Sequence, residues 1–117
     1  MSETVSLHPY FRVHDGKLEA FRALLPRFVE RTHSEEACLY YDFTICGDVV
    51  CCREAYVGAA GVLTHLENVG TLIGEAIEIA DLFRLEVHGP AAELEKLKEP
   101  LEELNVEPFV WECGVVR

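Results

Sequence analysis

The sequence predicts an α+β fold: a ferredoxin-like β-α-β-β-α-β antiparallel sheet with an added C-terminal helix and strand. Three observations carry it. An alternating apolar strand stands near the N terminus, a hairpin signal is centred on Gly47-Asp48, and two long stretches of helical periodicity flank that hairpin. A chain of 117 residues has room for one core, so residues 1–117 are read as a single domain.

The first strand runs from Val5 to Val13, where Leu7, Phe11 and Val13 alternate with His8, Tyr10 and Arg12. Pro9 cannot donate to a ladder, which suggests an edge strand or a local irregularity. After a turn at Asp15-Gly16, with Asp15 as candidate helix cap, Leu18, Phe21, Leu25, Phe28 and Thr32 recur at three and four residues. That is the clearest helix in the chain, with a bend expected at Pro26.

Leu39–Cys46 and Val49–Tyr56 are rich in aromatic and β-branched residues and are separated by two turn residues. The turn sets a register with Asp42 opposite Arg53, Tyr41 opposite Glu54, Phe43 opposite Cys52 and Leu39 opposite Tyr56. Leu39, Tyr41, Phe43, Ile45, Val50, Cys52, Glu54 and Tyr56 then share the face expected to turn to the core.

Gly58 to Ala80 reads as helix, with a break near Glu67-Asn68 and a stripe of Val62, Leu66, Val69, Ile73 and Ile77. Gly61, Gly70 and Gly74 weaken it and mark close packing or that break. A strand from Leu82 to Val87 follows. Gly89-Pro90 opens a last helix striped by Leu94, Leu97, Leu101 and Leu104 and interrupted by Pro100, and a final strand spans Phe109 to Val116.

The net charge of −11 disfavours nucleic acid and anionic membranes as partners. Residues 58–117 hold 12 acidic against 4 basic side chains, most simply a solvated face. The longest uncharged run, Ala55 to Leu66, is too short to span a bilayer, and the N terminus lacks a signal-peptide pattern, so a cytoplasmic location is expected. Five cysteines without a C-x-x-C pair are read as reduced core thiols. A globular chain of this mass exposes about 6,400 Å². The hairpin's second face, with Tyr40, Thr44, Val49 and Cys51, is only partly polar, and a second subunit would cover it economically.

Glu54 is the most informative residue. A carboxylate on the apolar face of a strand must be hydrogen-bonded, paired or protonated, since burying it bare costs several kcal/mol. It braces the following helix or works in a cavity. His65, in the second turn of that helix, can converge on Glu54 and suits a general base near neutral pH. Tyr41 and Tyr56 offer phenolic donors on the same face and Phe43 an aromatic wall, although such side chains are most often simply core. His8, His14, His33 and His88 show no metal-ligand spacing, so no metal site is expected.

The segment CLYYDF, the hairpin, and REAYVGAAGVLTHL resemble the antibiotic biosynthesis monooxygenase-like proteins over roughly Val5 to Val87, most specifically in Glu54-x-Tyr56 followed by His65. The resemblance implies a dimeric α/β-barrel: a homodimer with sheets face to face and a small-molecule pocket in each subunit between sheet and helices. It also implies a cofactor-independent monooxygenase acting on a small phenolic, quinol or enediol substrate. His65, Glu54 and Tyr56 would be catalytic, and Tyr41 and Phe43 would bind substrate. Haem-degrading members carry an Asn on the first strand, which is missing here. A small-molecule isomerase, or a non-catalytic binding or assembly module, are the alternatives on the same fold. Under the enzymatic reading, His65→Ala is expected to abolish turnover with little change in melting temperature.

Overall fold

The computed structural model describes residues 2–117. Its elements are β1 (Thr4–Val13), α1 (Leu18–Thr32), β2 (Cys38–Cys46), β3 (Val49–Val57), α2 (Gly58–Ile79), β4 (Ala80–Gly89), α3 (Ala91–Lys98), a 3-10 turn (Glu102–Leu104) and β5 (Glu107–Val110). The five strands form one sheet in the order β2-β3-β1-β4-β5. All neighbours are antiparallel except β4 and β5, whose crossover is α3. This is the expected ferredoxin-like sheet with its added helix and strand.

Pro9 lies in the middle strand of the sheet, not at an edge; the irregularity it demands is a register shift between Tyr10 and Phe11 against β4. The hairpin register holds from Cys46↔Val49 to Tyr40↔Ala55, including Asp42↔Arg53, which is closed by a two-pronged ion pair at 3.0 and 3.1 Å. Gly47, at the first turn position, has φ +60, the conformation a type II′ turn requires. Past Tyr40 the register slips, so that Cys38, not Leu39, faces Tyr56, and Leu39 is 52% exposed. The bulge turns Leu39 off the core face, and Ile45 at the far end of the strand is exposed as well.

Helix α1 runs through Pro26 and starts at Leu18, with no side-chain cap from Asp15. Helix α2 is unbroken over 22 residues. Its buried stripe is Val62, His65, Val69, Leu72 and Ala76, one position away from the expected Leu66, Ile73 and Ile77; Ile77 is exposed. Two clusters fill the space under the helices, one around Phe11, Phe21, Phe28, Val69 and Leu72, the other around Val5, Leu7, Tyr56, Val62 and Leu97. Glu93 of α3 accepts the Ala59 N–H at 2.9 Å and so caps the start of α2, which takes at least one carboxylate out of the solvated acidic face. Strand β5 stops at Val110, well short of the expected end at Val116, and the rest of the chain is exposed.

The sheet's outer face stays open: Tyr40, Phe83 and Phe109 are 49%, 49% and 40% exposed, Thr44 is exposed, and Val49 and Cys51 are half-buried. The whole chain exposes 7346 Å², above the roughly 6,400 Å² expected for its mass, in keeping with extents of 44 × 27 × 26 Å. Of the five cysteines, all free, only Cys52 is core; Cys46 and Cys113 are exposed. Among the described residues no helix is long and apolar enough to cross a membrane.

Candidate functional site

Between the sheet's inner face and α2 lies a cavity of about 140 Å³. Its walls are almost wholly apolar, among them Phe11, Phe28, Val69, Ala76 and Leu85, and among the described residues the only polar side chains on them are Tyr41, Cys52, Glu54 and His65. No Lys or Arg lines it. Ile77 and Leu104, both partly exposed, stand at its rim.

Of the residues singled out from sequence, Tyr41, Phe43, Glu54 and His65 line this cavity. Tyr56 does not: it is wholly buried behind Glu54, and its hydroxyl donates to Glu54 Oε1 at 2.6 Å. The two-residue spacing of β3 puts both side chains on one face, and the hydroxyl gives the buried carboxyl a fixed partner. His65 Nε2 is 3.5 Å from the same Glu54 oxygen, and the His65 ring lies 5.0 Å from the rings of both Tyr41 and Tyr56.

The other face of His65 carries the feature that sequence reasoning missed. Glu35, in the connection between α1 and β2, puts both carboxylate oxygens 3.0 and 3.1 Å from His65 Nδ1, and Asn68 Nδ2 donates to one of them at 2.7 Å. Asn68, three residues beyond His65 on the same helix face, could have been found by spacing. Glu35 sits in a turn where no periodicity announces burial. His65 is therefore 2% exposed and lies between two carboxyl groups, a setting in which His65→Ala is expected to lower the melting temperature rather than leave it unchanged. Truncation would take the imidazole from both buried acids, leaving Glu54 with the Tyr56 hydroxyl and Glu35 with Asn68, and would open a void beside them, typically a loss of about 1–3 kcal/mol.

Burial sets the protonation of this site. Desolvation raises the Glu54 pKa above the usual carboxylate range, against the pull of His65 and the Tyr56 hydroxyl, so its proton is held more tightly. Desolvation, and after it the nearby Cys52 and Glu54, raise Tyr41, which stays a donor. The Cys52 thiol is likewise raised by burial and is not a thiolate nucleophile. A carboxyl group that holds its proton more tightly than usual, an imidazole and a phenol thus meet at one apolar cavity, a set able to take a proton from one atom of a ligand and give one to another. No group of three or more His, Cys, Asp or Glu among the described residues could hold a metal ion.

The same architecture recurs in solved structures. MupZ from Pseudomonas fluorescens is 41% identical to this chain, over 99% of it and 96% of MupZ, with a TM-score of 0.94. The chain belongs to the MupZ family. More distant likenesses share the fold: a candidate antibiotic biosynthesis monooxygenase from Nitrosomonas europaea (16% identity, 78% of this chain and 93% of that one, TM-score 0.69) and another from Chloroflexus aurantiacus (20%, 75% and 93%, 0.62). The fold is thus that of the antibiotic biosynthesis monooxygenase-like proteins, as the resemblance implied. No protein-family model matches the sequence, and no curated protein sequence does. The segment from Pro90 onward, about a quarter of the chain, falls within the span shared with MupZ.

Proposed function

We propose that this MupZ-family chain is a cofactor-independent enzyme that moves protons on a small, neutral, mostly apolar substrate, with oxygenation of a phenol, quinol or enediol as its reaction. The observation that carries the reading is the meeting of His65 and Glu54, 3.5 Å apart, at the wall of an otherwise apolar cavity. A volume of about 140 Å³ suits a single ring, since a cavity near 150 Å³ admits benzene. A lining without Lys or Arg, in a chain of net charge −11, offers nothing to a carboxylate or phosphate on the substrate.

His65 Nε2 takes the proton from the substrate hydroxyl, and the Tyr41 hydroxyl donates to the oxyanion that forms. Tyr56 acts from behind, holding Glu54. Dioxygen is the oxidant: it accepts an electron pair from the electron-rich carbon, a C–O bond forms, and a proton on the distal oxygen completes a hydroperoxide. Glu54 supplies that proton. The raised pKa of Glu54 favours a second reading on the same residues, in which the carboxyl protonates carbon and the net reaction is isomerisation without oxygen.

The open outer face, with Tyr40 and Phe83 half exposed, supports a homodimer packed sheet to sheet, and the free thiols support a cytoplasmic location. The test is oxygen uptake and product analysis on a panel of small quinols, phenols and enediols, in air and under nitrogen. Turnover that requires air and is lost in His65→Gln supports the oxygenase. Turnover under nitrogen supports the isomerase. Saturable binding with no turnover in either atmosphere would leave a binding module and overturn both.

A further inference from the structure

Resting on the proton-transfer reading above, we propose that Glu35 is the positioning residue of this site: it fixes His65 in the tautomer that carries its proton on Nδ1, so that the Nε2 lone pair is presented to the cavity.

The hydrogen bonds around Glu35 decide between the two neutral tautomers. The Asn68 amide nitrogen lies 2.9 Å from the Arg31 carbonyl, which can only accept, so that nitrogen is a donor. The same nitrogen is 2.7 Å from Glu35 Oε2, which is therefore an acceptor. His65 Nδ1 stands 3.0 and 3.1 Å from the two Glu35 oxygens, and between an acceptor pair and a ring nitrogen the proton belongs to the ring. In the neutral ring Nε2 is then the unprotonated nitrogen, facing Glu54 at 3.5 Å.

Glu35 is held as a positioning group must be. Its own N–H donates to the Thr32 carbonyl at 2.9 Å and its carbonyl accepts from Cys38 at 3.3 Å, locking the turn between α1 and β2. The side chain is only 5% exposed. It is absent from the walls of the substrate cavity and instead borders a separate pocket with Thr32, His33, Cys38 and Tyr41. Glu35 therefore acts on substrate through His65 alone. The role would be invisible to a search for substrate contacts, and it differs from that of Glu54, which stands on the cavity side of the imidazole.

The test begins with the unaltered protein, so that it does not depend on a variant folding. Nitrogen-15 shifts and long-range couplings of the His65 ring, assigned by comparison with His65→Gln, should show the proton on Nδ1 in the neutral ring. A proton on Nε2 would overturn the proposal. Two variants then separate orientation from charge. In Glu35→Gln the side-chain oxygen can still accept from both Nδ1 and Asn68, and the tautomer should persist. In Glu35→Ala the proton should leave Nδ1, and kcat should fall by about 10²- to 10⁴-fold with KM nearly unchanged. Unchanged tautomer and kcat in Glu35→Ala would also overturn it. If no substrate is ever turned over, the function proposed above fails while the ring-nitrogen measurement still decides this one.

Discussion

Two histidine–glutamate pairs stand on opposite sides of the same sheet, and their chemistry diverges. On the inner side His65 meets Glu54 and Glu35, with His65 and Glu54 2% and 4% exposed. On the outer side His88 Nε2 lies 3.0 Å from Glu86, Arg84 Nε lies 2.8 Å from the other Glu86 oxygen, and the His88 and Glu86 side chains are 40% and 14% exposed. His8 packs edge-on to His88 at 4.8 Å, and Phe109 stacks on it at 4.5 Å. The Glu86 pKa is lowered, first by the His88 hydrogen bond and then, against some desolvation, by Arg84. That of Glu54 is raised, because desolvation outweighs a more distant imidazole. The same pair of residue types therefore yields a more tightly held proton where water and arginine are missing and a more readily ionised carboxyl where they are present.

The largest effect that can break this comparison is on turnover. Glu54→Gln keeps the shape of a protonated carboxyl and still accepts from the Tyr56 hydroxyl, so stability should change by less than about 1 kcal/mol. The amide cannot give up a proton as the acid does, and kcat should drop by about 10²- to 10⁴-fold. Glu86→Gln, on the far face, should leave kcat unchanged. Equal losses in the two variants, read from steady-state rates beside thermal melts, would mean that Glu54 has no special place in the chemistry.

A smaller effect follows from the backbone that holds Tyr56 behind Glu54. A Cβ at Gly61 would stand 3.0 Å from the Tyr56 Cβ and 3.1 Å from that of Ala37. Gly61→Ala should cost about 1–3 kcal/mol by overpacking, despite alanine's better helix propensity. At Gly70, on the same helix, an added Cβ meets nothing within 4 Å, and Gly70→Ala should stabilise by up to about 1 kcal/mol. Urea midpoints of the two variants decide it, and a stabilised Gly61→Ala would show that Tyr56 is free to shift.

What the sequence made legible follows from how local each signal is. The hairpin register could be counted from a two-residue turn and cross-checked by Asp42 and Arg53, and it failed only at Leu39, where a bulge answers to the neighbouring Ala37–Val57 backbone bond. Glu54 could be placed on the core face because strand alternation has a period of two. Helix α2 is apolar around much of its circumference, so two stripes compete, and packing against β1 and α1 chose the one holding His65. The cavity is the space that this choice leaves, and Glu35 is a turn residue brought to it by the fold. Neither has a periodic signature to read.

The subtlest difference between the two acids is the sign of their linkage to pH. Glu54 binds its proton more tightly in the folded than in the unfolded chain, where its pKa is about 4.3. Above that value the folded state holds the extra proton, so the contribution of Glu54 to stability is complete at low pH and is lost as pH rises through its folded pKa. Glu86 is the mirror case: its contribution is present above about 4.3 and is lost as pH falls through its lowered folded pKa. Urea midpoints across the acid-to-neutral range, taken for the unaltered protein and subtracted from those of Glu54→Gln and Glu86→Gln, should therefore give difference curves of opposite slope. Parallel curves would mean that the sheet does not separate a dry acid from a wet one, and the contrast between its two faces would collapse.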